Sequence, residues 1–383
     1  MVCFANDHNK RSAMNEVDNK RVYAVIMAGG TGKLLWPLAR KKTPKQFVDL
    51  FDKKTMIDKT IQRIAGIVNT ENIFIITNEQ GKVMLLQSDC RIDPENIIVE
   101  PMSRNTAPCI ALATAYIKKK DPDAVTIILP SDHLVIDEEK FLEILQAGIR
   151  IAAKKTSLVT IGINPDHPET NYGYIQADRE LYIDPSDCGD YRLYKVKTFA
   201  EKPDYATAVQ FLESKDFFWN SGMFIWHIDM FSKEIERSLP DLHRDFLNIY
   251  ENIDTHNESE IIEDVYSWIH PISVDYGIME KAESVYMLEG EFGWTDLGNW
   301  DQVAKVSVQP PYSAASREKG IVMIDCEQMY IRKPKDKVVC LIGTSNLIVV
   351  DTGDALLICN KGDSHKVGTA FDQLRRDDFD SYL

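Results

Sequence analysis

From residue 22 the chain alternates wholly apolar runs with amphipathic stretches. Val22-Tyr-Ala-Val-Ile-Met27 carries no charged position, the pattern of a strand covered on both faces. Similar runs return at residues 73–76, 97–99, 125–129 and 158–163, and stretches with helical spacing lie between them at 56–68, 106–118 and 140–153. Strands alternating with helices predict an α/β domain with a largely parallel sheet and helices on both faces.

The pattern then changes twice. Residues 172–201 read as shorter alternating strands with a turn at Asp184-Pro-Ser-Asp-Cys-Gly189. Helical spacing returns at 230–250 and near 276–282, followed by an apolar run at 284–288 and a turn-rich stretch at 291–299. Beyond residue 308, Pro310-Pro311 marks a linker, and short β-type runs follow at 321–324, 329–331, 338–342, 347–350 and 355–358. Tight turns such as Asp351-Thr-Gly-Asp354 separate them, which predicts a small all-β module of solenoid or barrel type. The expected organisation is a polar tail over 1–20, an α/β domain over 21–305 and a β-rich module over 306–383.

Composition narrows the function classes. The 383 residues include 59 acidic and 44 basic side chains, a net charge of −15. Such a surface repels phosphate polymers and anionic membrane, so a nucleic-acid coat and a membrane-surface protein are excluded. A small phosphorylated ligand remains compatible, because a local group of lysines overrides the global sign. Seven scattered cysteines without a C-x-x-C pair argue for reduced thiols in a cytoplasm and against a disulfide framework. The eight histidines are unclustered and read as packing or surface groups rather than zinc ligands. The polar first twenty residues have no apolar core, so no signal peptide is expected.

Candidate chemistry begins where the first strand breaks into Ala28-Gly-Gly-Thr-Gly32. Glycines at the carboxyl edge of a sheet let backbone N–H groups approach an anion, although a plain strand–helix turn fits the glycines alone equally well. No G-K-[ST] follows, and no third glycine opens a helix, so neither a P-loop nor a dinucleotide fingerprint is present. The residues after the glycines are more specific: Leu35-Trp-Pro-Leu-Ala-Arg40 and Thr43-Pro-Lys-Gln-Phe47, then Glu100-Pro-Met-Ser-Arg-Asn-Thr-Ala-Pro108, Leu129-Pro-Ser-Asp-His133, Glu169-Thr-Asn-Tyr-Gly-Tyr-Ile175, Phe199-Ala-Glu-Lys-Pro203, Trp219-Asn-Ser-Gly-Met-Phe224, Ser273-Val-Asp-Tyr276 and Gly293-Trp-Thr-Asp-Leu-Gly-Asn-Trp300. In this order and over residues 22–300, the chain resembles the mannose-1-phosphate guanylyltransferases (GDP-mannose pyrophosphorylases) of the sugar-nucleotidyltransferase superfamily.

The resemblance implies a Rossmann-like, GT-A-like mixed sheet, with a C-terminal module similar to a short left-handed β-helix used in homodimer contacts. It implies transfer of GMP from GTP to mannose 1-phosphate, giving GDP-mannose and pyrophosphate, with Mg2+ as cofactor. Asp132 and Asp296 are the implied metal ligands, and hard carboxylate oxygens suit that ion. Lys45 is assigned to the triphosphate and Lys202 to the sugar phosphate. The nucleotide loop comprises Ala28, Gly29, Gly30, Thr31, Gly32 and Lys33, and Glu100, Asn105 and Thr106 are assigned to the base. Gly173, Glu201 and Asn220 are assigned to the sugar, and Arg104 to a structural role.

The chain departs from the family pattern at Leu34, which stands where relatives place a triphosphate-binding arginine. A weakened enzyme, a compensated enzyme and a silent regulatory relative compete, and the persistence of both aspartates and both lysines favours activity. Rival readings are the same chemistry on another sugar 1-phosphate or base, and a non-catalytic nucleotide-sugar sensor. Long bifunctional relatives add an isomerase half, for which this sequence leaves no room.

Overall fold

The computed structural model describes residues 19–182, 191–307 and 319–383. Most of the polar tail, the turn at 184–189 and Pro310-Pro311 lie outside the described residues. The first strands are β1 (Val22–Met27), β2 (Ile73–Thr77), β3 (Ile97–Val99), β4 (Val125–Pro130), β5 (Leu134–Val135), β6 (Leu158–Ile163), β7 (Tyr174–Tyr182), β8 (Leu193–Ala200), β9 (Phe217–His227), β10 (Val285–Gly290) and β11 (Trp294–Thr295). Nine of them form one sheet in the order β3-β2-β1-β4-β9-β6-β10-β8-β7, while β5 pairs with β11 outside it.

One half of the sheet is parallel, with β1 between β2 and β4 and β3 beside β2. The other half is mixed: β6 and β10 run parallel, whereas β9 is antiparallel to β4 and β6, and β8 to β7 and β10. The largely parallel reading therefore holds only for the first half. Strand β9 escaped the pattern because Asn220-Ser-Gly222 interrupts its apolar run. Its register with β6 shifts between Thr160 and Gly162, the kind of irregularity sheets carry beside functional sites.

The helices are α1 (Met56–Ile64), α2 (Glu79–Gln87), α3 (Thr106–Lys120), α4 (Glu138–Ala152), α5 (Tyr205–Ser214), α6 (Ile228–Ser238), α7 (Pro240–Asn252), α8 (Glu258–Trp268), α9 (Trp300–Ser307) and α10 (Val367–Arg376). Period-two alternation divides the core. Val22, Ala24 and Ile26 of β1 pack with α1 and α4 on one face, and Tyr23 and Val25 pack with α3, α6, α7 and α8 on the other. The helical stretch read at 230–250 is two helices, because Pro240 has no N–H to donate and opens α7 at its first turn. No helix among the described residues is long and apolar enough to cross a membrane.

The C-terminal module comprises β12 (Ile321–Ile324), β13 (Tyr330–Arg332), β14 (Val339–Ile342), β15 (Leu347–Asp351) and β16 (Leu356–Asn360). Ile321 pairs with Val339, Glu327 with Ser345 and Tyr330 with Ile348, all in parallel. Each partner lies 18 residues further along, so the chain completes one coil of a β-helix per 18 residues, a multiple of a hexapeptide repeat. Helix α10, absent from the sequence reading, then returns to the first domain. Val367, Phe371 and the terminal Leu383 join Ile348, Val350, Leu35, Trp36, Leu297 and Trp300 in a third apolar cluster.

Candidate active site

Parallel strands deliver their carboxyl ends to one side of the sheet, where open α/β folds bind ligands. Here β1 ends at the glycine loop, β3 at Glu100 and β4 just before Asp132. These ends, β9 and the loop after β11 enclose a cavity of about 450 Å3. Gly29, Gly30, Glu100, Asn105, Thr106, Asp132, Gly173, Asn220 and Asp296 line it. Ala28 lies beneath, its carbonyl accepting hydrogen bonds from Gln46 at 2.8 Å and Thr77 at 3.0 Å. Thr31 and Lys33 are exposed, and the Lys33 ammonium is 3.2 Å from Asp372 of α10, so neither is brought into the cavity.

Behind the lining residues Lys45, 7% exposed, pairs with the Asp132 carboxylate at 2.9 Å. Its ammonium also donates to the Asp296 carbonyl at 2.5 Å. Gly32 makes room for it: that residue has φ +69°, and a Cβ there would lie 2.4 Å from the Lys45 Cβ, so a side chain would displace the lysine. Burial works to raise the Asp132 carboxyl, but the charges of Lys45 and His133 and the Lys45 hydrogen bond outweigh it and hold the group below its ordinary range. The Asp296 side chain is oriented too. Its Oδ1 accepts from the Tyr172 hydroxyl at 2.9 Å and from the Gly298 N–H at 3.0 Å.

At one end of the cavity Glu100 accepts a hydrogen bond from Tyr266 at 3.0 Å. Burial pushes its carboxyl up to about 7, against the hydrogen bonds from Tyr266 and Cys109. Asn105, with φ +71°, caps α3 by accepting from the Thr106 N–H at 2.8 Å. The Thr106 hydroxyl accepts from Val274 N–H at 2.8 Å, joining α3 to the loop before Asp275. Arg104 donates to the carbonyls of Tyr266 and Ser267 at the end of α8, which is the structural role expected of it.

At the other end Gly173 accepts from the Asn220 N–H at 2.8 Å. A Cβ on Gly173 would lie 3.0 Å from a Glu201 carboxylate oxygen, so the glycine lets Glu201 approach, although Glu201 is itself exposed and does not line the cavity. Asn220 is held on both sides, accepting from the Gly222 N–H at 3.0 Å and donating to Asp275 at 2.7 Å. Lys202 is exposed, with φ +43°, and its ammonium is 3.5 Å from Glu201. Asp275 received no role from the sequence, although the Ser273-Val-Asp-Tyr276 motif marked its position. It opens a five-residue π-helical turn, a feature common at functional sites. Burial raises its carboxyl to about 6, with the Asn220 hydrogen bond opposing and the Glu201 charge adding.

A separate group, Asp123, His227 and Asp229, has the composition of a metal site. Lys155 already pairs with Asp123 at 2.6 Å and with Asp229 at 3.6 Å. His227 Nδ1 accepts from the Asp229 N–H at 3.1 Å, so the neutral ring carries its proton on Nε2 and has no lone pair there for a metal. It caps α6, consistent with the structural reading of the histidines.

The family model for nucleotidyl transferases matches residues 23–310, and that for the MannoseP isomerase/GMP-like beta-helix domain matches residues 319–374. The chain belongs to the nucleotidyl transferase family. Its relatives within that family include mannose-1-phosphate guanylyltransferases. It is 34% identical to the mannose-1-phosphate guanylyltransferase RfbM of Salmonella typhimurium over 94% of this chain and 73% of that protein. It is 33% identical to the mannose-1-phosphate guanylyltransferase of Escherichia coli K12 over 93% of this chain and 74% of that protein. Among solved structures, one from Thermus thermophilus, described as a mannose-1-phosphate geranyltransferase, superposes with a TM-score of 0.80 at 30% identity, covering 93% of this chain and 99% of the other. A Helicobacter pylori structure described as a mannose-6-phosphate isomerase superposes with a TM-score of 0.57 at 26% identity, covering 72% of this chain and 99% of the other.

Proposed function

We propose that this chain transfers GMP from GTP to mannose 1-phosphate, forming GDP-mannose and pyrophosphate. One observation carries the reading: a buried lysine joins Asp132 to the Asp296 loop in the wall of a cavity that is also lined by the Glu100 carboxylate, Gly173 and the Asn220 amide. A sugar phosphate oxygen attacks the α-phosphorus in line with the departing pyrophosphate. That phosphate is already ionised near neutral pH, so alignment and charge neutralisation are the main requirements. Lys45 meets the triphosphate from within, and Lys202, exposed at the rim, turns from Glu201 to the incoming phosphate. Glu100 accepts from the N1–H and exocyclic amine of guanine, a donor pair adenine lacks. Gly173, Glu201 and Asn220 meet the sugar.

The donor set fits magnesium. Asp132 and Asp296 are hard oxygen donors, and a cation, the Lys45 ammonium, already rests against both residues. Bound there, the ion would neutralise charge developing on the two phosphate groups. We assign catalysis to residues 21–305 and self-association, as a homodimer, to 306–383. A cytoplasmic setting suits the unpaired cysteines among the described residues.

The test is pyrophosphate release from GTP and mannose 1-phosphate in the presence of Mg2+, with Asp132→Asn as the blank. Steady release that this substitution lowers at least about 100-fold is expected. Binding of GDP-mannose without release on any panel of nucleotides and sugar phosphates would instead favour a non-catalytic sensor.

A further inference from the structure

Asp296 depends on two side chains that belong to neither substrate end of the cavity. Tyr172, 7% exposed, is fixed by edge contacts with Trp219 and Trp294, at centroid distances of 5.3 Å and 5.1 Å. Its hydroxyl donates to Asp296 Oδ1 at 2.9 Å and accepts from Gln302 Nε2 at 2.6 Å. The direction of this chain of hydrogen bonds is set by its ends. Gln302 Oε1 already accepts from the Asn299 N–H at 3.2 Å, which turns its amide N–H toward Tyr172. An ionised Asp296 only accepts, so the tyrosine proton points to it. The Gly298 N–H also falls on Oδ1, so both of these donors occupy one oxygen and leave Oδ2 to other partners. Gly298 is packed against the carboxylate, since a Cβ there would approach Oδ2 to 3.0 Å and Oδ1 to 3.3 Å.

We propose that Tyr172 and Gln302 are positioning residues which hold the Asp296 carboxylate in one rotamer and present its Oδ2 to the divalent ion. This rests on the metal reading above and goes beyond it. Groups that hydrogen-bond to metal ligands commonly change metal affinity 10–100-fold, and the Tyr172–Gln302 pair has the buried, directional geometry of such a group. Gln302 reaches the Asp296 carboxylate through the Tyr172 hydroxyl, so the two effects on that carboxylate are not independent, while its Oε1 also caps α9 at the Asn299 N–H. The pair also links the site to the C-terminal module. Asn299, which receives Gln302 N–H at 3.1 Å, accepts from Ser364 at 3.2 Å, and Asp301 binds the Gly362 N–H at 2.7 Å.

The experiment titrates Mn2+ alone into the full chain, reading free ion by electron paramagnetic resonance, and separately measures turnover against Mg2+ concentration. Tyr172→Phe keeps the ring and removes the hydroxyl. We expect about tenfold weaker Mn2+ binding and a matching rise in the Mg2+ needed for half-maximal turnover, with the rate at saturating Mg2+ changed by less than about threefold. Gln302→Leu should weaken Mn2+ binding by a smaller factor, and the double variant should match Tyr172→Phe alone. Unchanged Mn2+ affinity in Tyr172→Phe, or a double variant showing the product of the single effects, overturns the inference. If Tyr172→Phe does not fold, unchanged affinity in Gln302→Leu overturns it and weakened affinity supports it. A wild-type chain that takes up no Mn2+ and turns over undiminished in chelator sinks the metal reading itself, and the inference with it.

Discussion

Glu100 shows how one side chain carries opposing demands. Burial keeps its carboxyl protonated up to about pH 7, while guanine offers two N–H donors that need the ionised acceptor. Affinity for GTP is therefore expected to rise with pH from 6 to 8, and the KM for GTP to fall about tenfold per unit on the acid side of 7. A pH-independent KM would contradict the assignment. The same burial makes the ionised group costly to fold. Its folded value lies above the unfolded one of 4.5, so the cost is absent below pH 4.5 and complete above 7, about 3 kcal/mol. Glu100→Gln should then raise the melting temperature at pH 8 while weakening GTP binding, both measurable on one preparation. Asp275 belongs to the same scale: Asp275→Asn should raise the KM for the sugar phosphate and leave that for GTP within about twofold. Asp132, Asp296, Lys45 and Glu100 could be singled out in the sequence because each sits in a distinctive motif, whereas Asp275 sat in one and drew no role. Gln302 could not be, since a lone glutamine on a short helix carries no signal until folding places Tyr172 against it.

At the scale of elements, the nucleotide loop is not free-standing. Helix α10 lies over it: a Cβ on Gly368 would meet Leu34 Cδ2 at 3.0 Å, and Lys33 pairs with Asp372. Leu34 is thus partly covered by a neighbouring helix, which gives the departure from the family arginine a packing role. Leu34→Arg is expected to raise turnover several-fold by adding a phosphate-binding cation, and to lower the melting temperature because the guanidinium must displace that contact. Lower stability with no gain in turnover would show that the leucine is compensated elsewhere. Buried parallel strands were plain in the sequence because both faces are apolar. Strand β9 was hidden because the polar residues that serve the cavity, Asn220 and Ser221, interrupt its pattern. Helix α10 was hidden because it follows directly on a run of β-type segments and its apolar residues are few.

For the molecule as a whole, the C-terminal module packs directly on the first domain, around the segment that follows the glycine loop. Trp36 donates to the Tyr382 carbonyl at 2.8 Å, Arg40 pairs with Asp354 at 2.7 Å, and Trp300 donates to the Trp36 carbonyl at 2.8 Å. Phe371, 6% exposed, lies in the cluster shared by both parts. Phe371→Ala should cost roughly 3–5 kcal/mol in a single unfolding transition, whereas two separate transitions would show that the parts are independent. The module also presents Val322, Met323, Ile324, Val338 and Ile342 to solvent, an apolar surface of the kind that pairs with another copy. Light scattering is expected to give twice the chain mass of 43.7 kDa, and Met323→Lys with Ile342→Lys should return it to a monomer.

By itself, the sequence determined the alternation of strands and helices, the place of the glycine loop and the candidacy of Lys45, Glu100, Asp132 and Asp296. These follow from local periodicity and from side-chain chemistry, which are written residue by residue. Only the tertiary structure decided that Lys45 bridges Asp132 and Asp296, that Lys33 turns away to α10, and that Tyr172 orients a carboxylate 124 positions distant. Those outcomes depend on which faces pack together, and packing is settled by the fit of the whole chain.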